Sequence, residues 1–319
     1  MSKIALPTIY IYFVLLCLWI GAILLGTGYF GNEKAYNIFS LEKPESIKSV
    51  LLMAFTLGLC IFCCYGEFTV MHDAAHGSIS SEPFINHLFG WLSQVFMGPL
   101  GDFNAFKYLH LTHHRFTNDL RFDPDTWASA HGPGGLLLMP LRWLSVDIAY
   151  IATYLPLVIP FYPGKTIESN KRSIVRNHPY IEMGIFWIYK LAMMSFIYKM
   201  TQLGYGSELM QYWVLPSMLA KTILAYAFDY LPHEPHRVKL EENPFHTTSY
   251  LSTPPKTTNI FSLLLFYQNY HIAHHLNPKT PFYEYKQQWL KHQVDWITNK
   301  KINIKRILPF LGQELLPVR

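Results

Sequence analysis

Three short histidine-rich segments have the residue types and spacing to bind metal. The first reads HDAAH at 72–76, and the other two, HLTHH at 110–114 and HIAHH at 271–275, share the pattern HxxHH. Side chains at i, i+3 and i+4 lie on one face of a helix, so the imidazoles within each segment can converge. At this histidine content a given HxxHH is expected by chance about 0.03 times per chain, so two occurrences indicate a function. The predicted metal ligands are His72, His76, His110, His113, His114, His271, His274 and His275.

The number of these histidines favours two metal ions. A zinc ion takes four protein ligands, or three and a water molecule, and the eight imidazoles exceed that number. Two metals with four to five ligands each fit better. Imidazole binds iron, zinc, copper and nickel, so the ligand type alone does not choose the metal.

A ninth ligand is predicted at His233, at the end of an apolar stretch, in preference to the nearby His236 and His246. Asp229 lies four residues before His233 and could face the site directly or through a water molecule. Metal-bound histidines usually donate their other N–H to a carboxylate or a carbonyl. Aspartates near the first two segments are candidates for that contact, although capping of a turn or helix explains them equally well. These aspartates are Asp73, Asp119, Asp123 and Asp125.

The composition indicates a membrane protein. Half of the residues are hydrophobic and 15% are charged, whereas soluble proteins carry about 25% charged residues. The 22 Phe, 21 Tyr and 8 Trp suit the bilayer interfaces, where aromatic rings concentrate. The net charge of +5 is too small to indicate nucleic-acid binding. The four cysteines lie in apolar runs, and their spacing predicts neither a disulfide framework nor a zinc knuckle.

Four apolar stretches are long enough to cross a bilayer, which takes about 20 residues. They are 9–30, 50–71, 181–203 and 211–230. Histidines that share a metal site lie on one side of the membrane, so an even number of crossings must separate the three segments. The apolar stretches 84–100 and 136–161 therefore lie along the membrane surface, or enter the membrane and return on the same side. We expect one all-α domain over residues 1–319, with an N-terminal anchor that is not removed.

Basic residues predict the orientation in the membrane. Lys and Arg cluster in 165–176 and 300–306, on the same side as the histidine segments, as is typical of cytoplasmic loops. We therefore expect the histidine segments and both termini on the cytoplasmic side. Lys190 and Lys221 lie about 18 Å from the same short hairpin turn. They either extend toward the cytoplasm or line a polar cavity near the metal site.

These segments and spans resemble the membrane fatty acid desaturase superfamily over roughly residues 50–290. Three longer strings are similar to the carotene hydroxylase branch, with carotene ketolases nearby. They are FDYLPHEP at 228–235, YQNYHIAHHLNPKTPFYEY at 267–285 and LTHHRFTNDLRFDPD at 111–125. The resemblance implies a mushroom-shaped helical protein with two irons in a cytoplasmic cap, held by the eight histidines and by His233. Two departures, Glu234 in place of an arginine and Asn277 in place of an aromatic residue, put the substrate in doubt.

The resemblance also implies O2-dependent oxidation of a C–H bond in a hydrophobic lipid. We expect hydroxylation of a carotenoid end ring, or ketolation. A carotenoid is about as long as the roughly 30 Å hydrocarbon core, which brings its ring to the interface where the histidines emerge. The alternative is desaturation or hydroxylation of a fatty acyl chain, since the histidine segments do not distinguish these reactions.

A different class of protein, a histidine-rich metal transporter, remains a distant alternative. That class places its ligands near the middle of the bilayer, whereas these histidines lie at the ends of helices. We find no haem, flavin or iron–sulfur motif, so the expected O2-dependent oxidation of the substrate needs a separate electron donor. The basic cytoplasmic face suits an acidic ferredoxin or a cytochrome b5-type protein.

Overall fold

The chain is mainly helical in a computed structural model that describes residues 4–158, 179–252 and 258–306. Its first two helices, α1 (Leu6–Gly26) and α2 (Ile47–His76), pack against each other. Apolar side chains from both helices join one hydrophobic core that continues into the C-terminal part of the chain. The predicted basic loop 165–176 lies outside the described residues.

Helix α2 carries the first histidine segment beyond the apolar layer. Ser46 caps its first turn, because the serine side chain accepts a hydrogen bond from the Ser49 N–H (3.1 Å). Gly77, with a φ of 68°, ends it in a left-handed conformation that suits glycine. Its 30 residues extend about 45 Å, whereas a hydrocarbon core is about 30 Å thick. His72 and His76 therefore sit on turns that extend past the apolar part of the helix.

The next four helices are shorter: α3 (Pro83–Ser93), α4 (Phe103–Phe116), α5 (Gly135–Leu144) and α6 (Val146–Val158). Helix α3 has 11 residues, too few to cross a bilayer. Helices α5 and α6 meet at a bend of 85°, as in a broken span or a re-entrant loop. The length of α3 agrees with the expectation that its stretch does not cross the membrane, and a re-entrant loop at α5–α6 would agree with the same expectation.

Helices also cover the third and fourth predicted spans. Helix α7 (Pro179–Gln202) is followed by a run made of α8 (Gly206–Leu209), a π-helical segment, α9 (Leu215–Leu224) and a second π-helical segment that ends at Tyr230. Among the described residues, the two helices that are long and apolar enough to cross a membrane are α1 and α2, with the bent pair α5–α6 as a third candidate. The arrangement with four spans therefore stays a proposal.

The prediction of an all-α fold needs one correction. Strand β1 (Ser249–Ser252) pairs in parallel with strand β2 (Asn303–Arg306). All four residues of β1 are buried, so their backbone N–H and C=O groups need partners. Strand β2 supplies part of these, and the Ser249 N–H donates to the Pro232 carbonyl (2.9 Å). Between the strands lie the short α10 (Thr258–Leu264), then α11 (His271–Leu276) and α12 (Tyr285–Thr298).

Candidate metal centre

Four parts of the chain place histidines at one end of the helices. Two lie on the last turns of α2, three on α4 and three on α11. His233 follows the π-helical segment that ends at Tyr230. The start of α4 is fixed by Asp102, whose carboxylate accepts a hydrogen bond from the Ala105 N–H (2.8 Å). The local helix geometry therefore sets the spacing within each segment, and packing of the helices brings the segments together.

Five imidazoles form the first cluster, called here the five-histidine group. One ring nitrogen of each lies within 4.8 Å of a ring nitrogen of every other member. Neighbouring Nε2 atoms are 2.8 to 3.2 Å apart, as between His76 and His110 (2.9 Å) and between His114 and His274 (2.8 Å). The members are His72, His76, His110, His114 and His274.

Four imidazoles form the second cluster, called here the four-histidine group. His113, His233 and His275 have ring nitrogens within 4.8 Å of one another. The Nε2 atom of His271 lies 3.0 Å from that of His233 and 3.1 Å from that of His275. The two groups adjoin, because the rings of His114 and His275 stack with centroids 4.2 Å apart. All nine predicted histidines are therefore brought together.

The donor set fits two metal ions. Each neutral imidazole has one N–H and one lone pair, so hydrogen bonds among themselves cannot satisfy nine converging Nε2 atoms. A cation about 2.1 Å from each nitrogen separates neighbouring nitrogens by about 3.0 Å at right angles and about 3.4 Å in a tetrahedron. The closest Nε2 pairs here are 2.8 to 3.4 Å apart. Eight of the nine side chains are also buried, and His114 is half-buried.

Two of the predicted carboxylates hold His113 in place. Its Nδ1–H donates to Asp123 (2.9 Å), and an oxygen of Asp125 lies 3.2 Å away. Burial by itself lowers the pKa of His113, but the charges of both aspartates offset this effect and raise the pKa to about 9. With one proton fixed on Nδ1, a metal ion that displaces the second proton would bind Nε2, which faces the four-histidine group. This is the contact expected of a histidine that binds a metal.

The other predicted aspartates make different contacts. The Asp73 carboxylate accepts hydrogen bonds from the Thr8 hydroxyl (2.9 Å) and the Phe282 N–H (3.2 Å), and it approaches His72 Nδ1 only to 4.0 Å. It therefore ties α2 to α1 and to the segment before α12. Asp119 forms an ion pair with Lys239 (2.7 Å).

The two competitors of His233 point to other partners. His236 Nε2 lies 3.2 Å from the backbone oxygen of Asp229, and His246 Nε2 lies 2.9 Å from the backbone oxygen of Lys300. Neither histidine belongs to a group of converging nitrogens among the described residues. The geometry therefore favours His233.

Tyr285 is a contact of the site that the sequence did not reveal. Its hydroxyl lies 2.9 Å from Nδ1 of His274, and its side chain is fully buried. The two residues are 11 positions apart, on different helices, so no helical spacing links them. Tyr285 fixes the orientation of this imidazole as the two aspartates fix that of His113.

An apolar cavity lies against the five-histidine group. It is partly open and lies between α2, α4, α6 and α9. Phe68 and Phe106 line it, with their rings 5.1 Å apart. The Phe106 ring stacks on that of His110 at 5.0 Å. The side chain of Asp229 lines the same cavity.

One end of this cavity is polar. Lys221 lines it, donates a hydrogen bond to the Met97 carbonyl (2.7 Å) and forms an ion pair with Asp147. Lys190 donates to the carbonyl of Leu100 (3.0 Å), which also lines the cavity. Of the two lysines, Lys221 therefore lines the cavity, whereas Lys190 binds backbone carbonyls beside it.

Comparison with known proteins identifies the family. A sequence model described as "Fatty acid desaturase" matches residues 48–298, most of the chain. The chain belongs to the fatty acid desaturase family. The resemblance inferred from the histidine segments is thereby confirmed, and the protein is an oxidoreductase of this family. Its apolar helices make it a membrane protein.

The family members that resemble this chain differ in substrate. A chloroplastic omega-6 fatty acid desaturase of Glycine max is 26% identical over 83% of this chain and 66% of its own length. Two beta-carotene ketolases of Paracoccus sp. are 26% and 23% identical, over 73% and 77% of this chain and 77% and 83% of their own. A dihydrorhizobitoxine desaturase of Bradyrhizobium elkanii is 22% identical, over 73% of this chain and 63% of its own length.

Proposed function

We propose that this desaturase-family protein holds two irons with its nine histidines and hydroxylates the end ring of a carotenoid with O2. The observation that carries the metal assignment is the convergence of the imidazoles into groups of five and four. Imidazole is a suitable ligand for iron. Bound iron supplies the O2 chemistry needed to break an unactivated C–H bond.

The side chains around the site have separate tasks in this proposal. Asp123 and Asp125 keep the proton of His113 on Nδ1, so that its Nε2 atom is free to bind metal. Phe68 and Phe106 make the cavity beside the site apolar. An apolar cavity suits a hydrophobic ligand and keeps water away from the reacting carbon.

Two features support a carotenoid over an acyl chain. The chain covers 77% and 83% of the two ketolases but only 66% of the omega-6 desaturase. A carotenoid also matches the thickness of the hydrocarbon core, about 30 Å, which brings its end ring to the level of the histidines. The omega-6 desaturases keep acyl desaturation as the second candidate, because the matches to them cover up to 83% of this chain.

The topology and the electron donor belong to the same proposal. We place the histidine segments and both termini on the cytoplasmic side, with four spans. A separate ferredoxin or cytochrome b5-type protein delivers electrons to the basic C-terminal face. Lys305 makes hydrogen bonds within the protein, because it donates to the backbone oxygens of Leu231 (3.0 Å) and Glu234 (2.8 Å). Lys301 and Arg306 are exposed and can contact the acidic surface of the electron donor.

Expression in cells that make β-carotene, followed by mass analysis of pigments and acyl chains, tests the reaction. The proposal expects a pigment that has gained one oxygen atom, and a ketone would instead gain oxygen and lose two hydrogens. The His274→Ala variant should give no product, and His292→Ala, outside both groups, should behave as the wild type. Unchanged pigment together with new double bonds in acyl chains would replace the carotenoid proposal by the second candidate.

A further inference from the structure

Helix α6 forms one wall of the apolar cavity. Its residues Val146, Asp147, Tyr150 and Ile151 line the cavity. Helices α2 and α4 also line the cavity, and Phe106 of α4 stacks on a histidine of the five-histidine group. A ligand in the cavity would therefore contact both α6 and the aromatic ring that stacks on the candidate metal centre.

Polar contacts help to hold this wall in place. None of the seven side chains 146–152 is fully buried, and Ile148 is 64% exposed. The side chains of Asp147 and Tyr150 tether the helix to the rest of the protein. Asp147 forms an ion pair with Lys221, and the Tyr150 hydroxyl donates a hydrogen bond to Asp125 (3.1 Å).

The second tether leads directly to the histidines. One oxygen of the Asp125 carboxylate accepts the Tyr150 hydrogen bond, and the other lies 3.2 Å from Nδ1 of His113. Nε2 of the same imidazole is 3.4 Å from that of His275. Because a carboxylate is rigid, a movement of Tyr150 that turns Asp125 also changes the hydrogen bond to His113.

We propose that Tyr150 is a positioning residue that couples an apolar ligand in the cavity to His113 through Asp125. A ligand that displaces α6 moves the tyrosine hydroxyl, and the carboxylate transmits this movement to the imidazole. The inference rests on the proposed binding of metal by the histidines but not on the carotenoid as substrate. Residues that hydrogen-bond to a metal-binding side chain usually orient it. Here such a residue would also make the metal centre respond when the cavity is occupied.

Cobalt-loaded protein provides a test that does not depend on turnover. Co²⁺ accepts the same nitrogen ligands, and its visible absorption bands report changes in ligand geometry. We would titrate the cobalt protein with β-ionone, an apolar ring compound, and record these bands. Amide hydrogen exchange in 146–152 would report ligand binding at α6 independently. The matched control for Tyr150→Phe is Tyr65→Phe, because the buried Tyr65 hydroxyl has no hydrogen-bond partner among the described residues.

In the wild type and in Tyr65→Phe, β-ionone should change both the exchange and the cobalt bands. In Tyr150→Phe it should still change the exchange, but the bands should stay constant. The same band shift in Tyr150→Phe as in the wild type would overturn the proposal, as would altered exchange in the wild type without any band shift. If Tyr150→Phe does not fold, the wild type still decides, because both signals must saturate at the same β-ionone concentration. A protein that binds no cobalt would instead count against the proposed metal centre.

Discussion

Replacement of His233 by alanine tests the assignment of the ninth ligand. The substitution removes one Nε2 atom from the four-histidine group and leaves the five-histidine group complete. Loss of an outer partner of a metal ligand costs about 10- to 100-fold in metal affinity. Loss of the ligand itself should cost at least the upper value, about 2.7 kcal/mol. We therefore expect iron at the four-histidine site to need about 100-fold more free Fe²⁺, while the other site fills as before.

The assay is the iron content per chain after dialysis against a series of buffered Fe²⁺ concentrations. At the lowest concentration that saturates the wild type with two irons, His233→Ala should hold one. The matched control is His236→Ala, because this side chain contacts the Asp229 backbone oxygen (3.2 Å) and neither group. It should hold two irons. Wild-type iron binding by His233→Ala, or loss of one iron in His236→Ala, would refute the assignment.

Three other experiments test the surroundings of the site. Exchange of Lys301 and Arg306 for glutamate should slow the reduction of the metal centre by an acidic electron donor at low salt. The effect should shrink as salt screens the charges. Stopped-flow reduction rates that match the wild type at low salt would contradict docking at this face. Lys221→Met removes the partner of Asp147 in its ion pair and should lower the free energy of unfolding, measured by denaturant titration, by about 3 kcal/mol. A second change, Asp147→Leu, should restore most of that free energy. A single variant as stable as the wild type would count against a stabilising ion pair. Tyr285→Phe removes a hydroxyl 2.9 Å from an imidazole nitrogen and should weaken metal binding about 10-fold in a chelator competition; unchanged affinity would show that this contact does not orient the ligand.

The sequence was most informative where local geometry decides the outcome. Residues at i, i+3 and i+4 must share a helix face, so HLTHH and HIAHH each predicted a converging trio before any fold was known. His233 was distinguished from His236 and His246 by its place at the end of an apolar stretch. The structure brings all three segments and His233 together.

The contacts that the sequence did not predict join residues far apart in the chain. Asp73 was considered as a partner of a metal-bound histidine, but it binds the Thr8 hydroxyl and the Phe282 N–H, 65 and 209 positions away. The partners of Tyr285 and Lys221 likewise depend on how helices pack. The pairing of β1 with β2 was missed because four-residue strands leave little periodic signal. Tertiary contacts of this kind have no signature in a single sequence.

The central claim is that the two histidine groups each hold one iron. Anomalous diffraction at the iron edge, from crystals of the iron-loaded protein, measures this directly. We expect two peaks per chain, one about 2.1 Å from Nε2 atoms of the five-histidine group and one at the same distance from those of the four-histidine group. A single peak, or iron bound away from these imidazoles, would contradict the account.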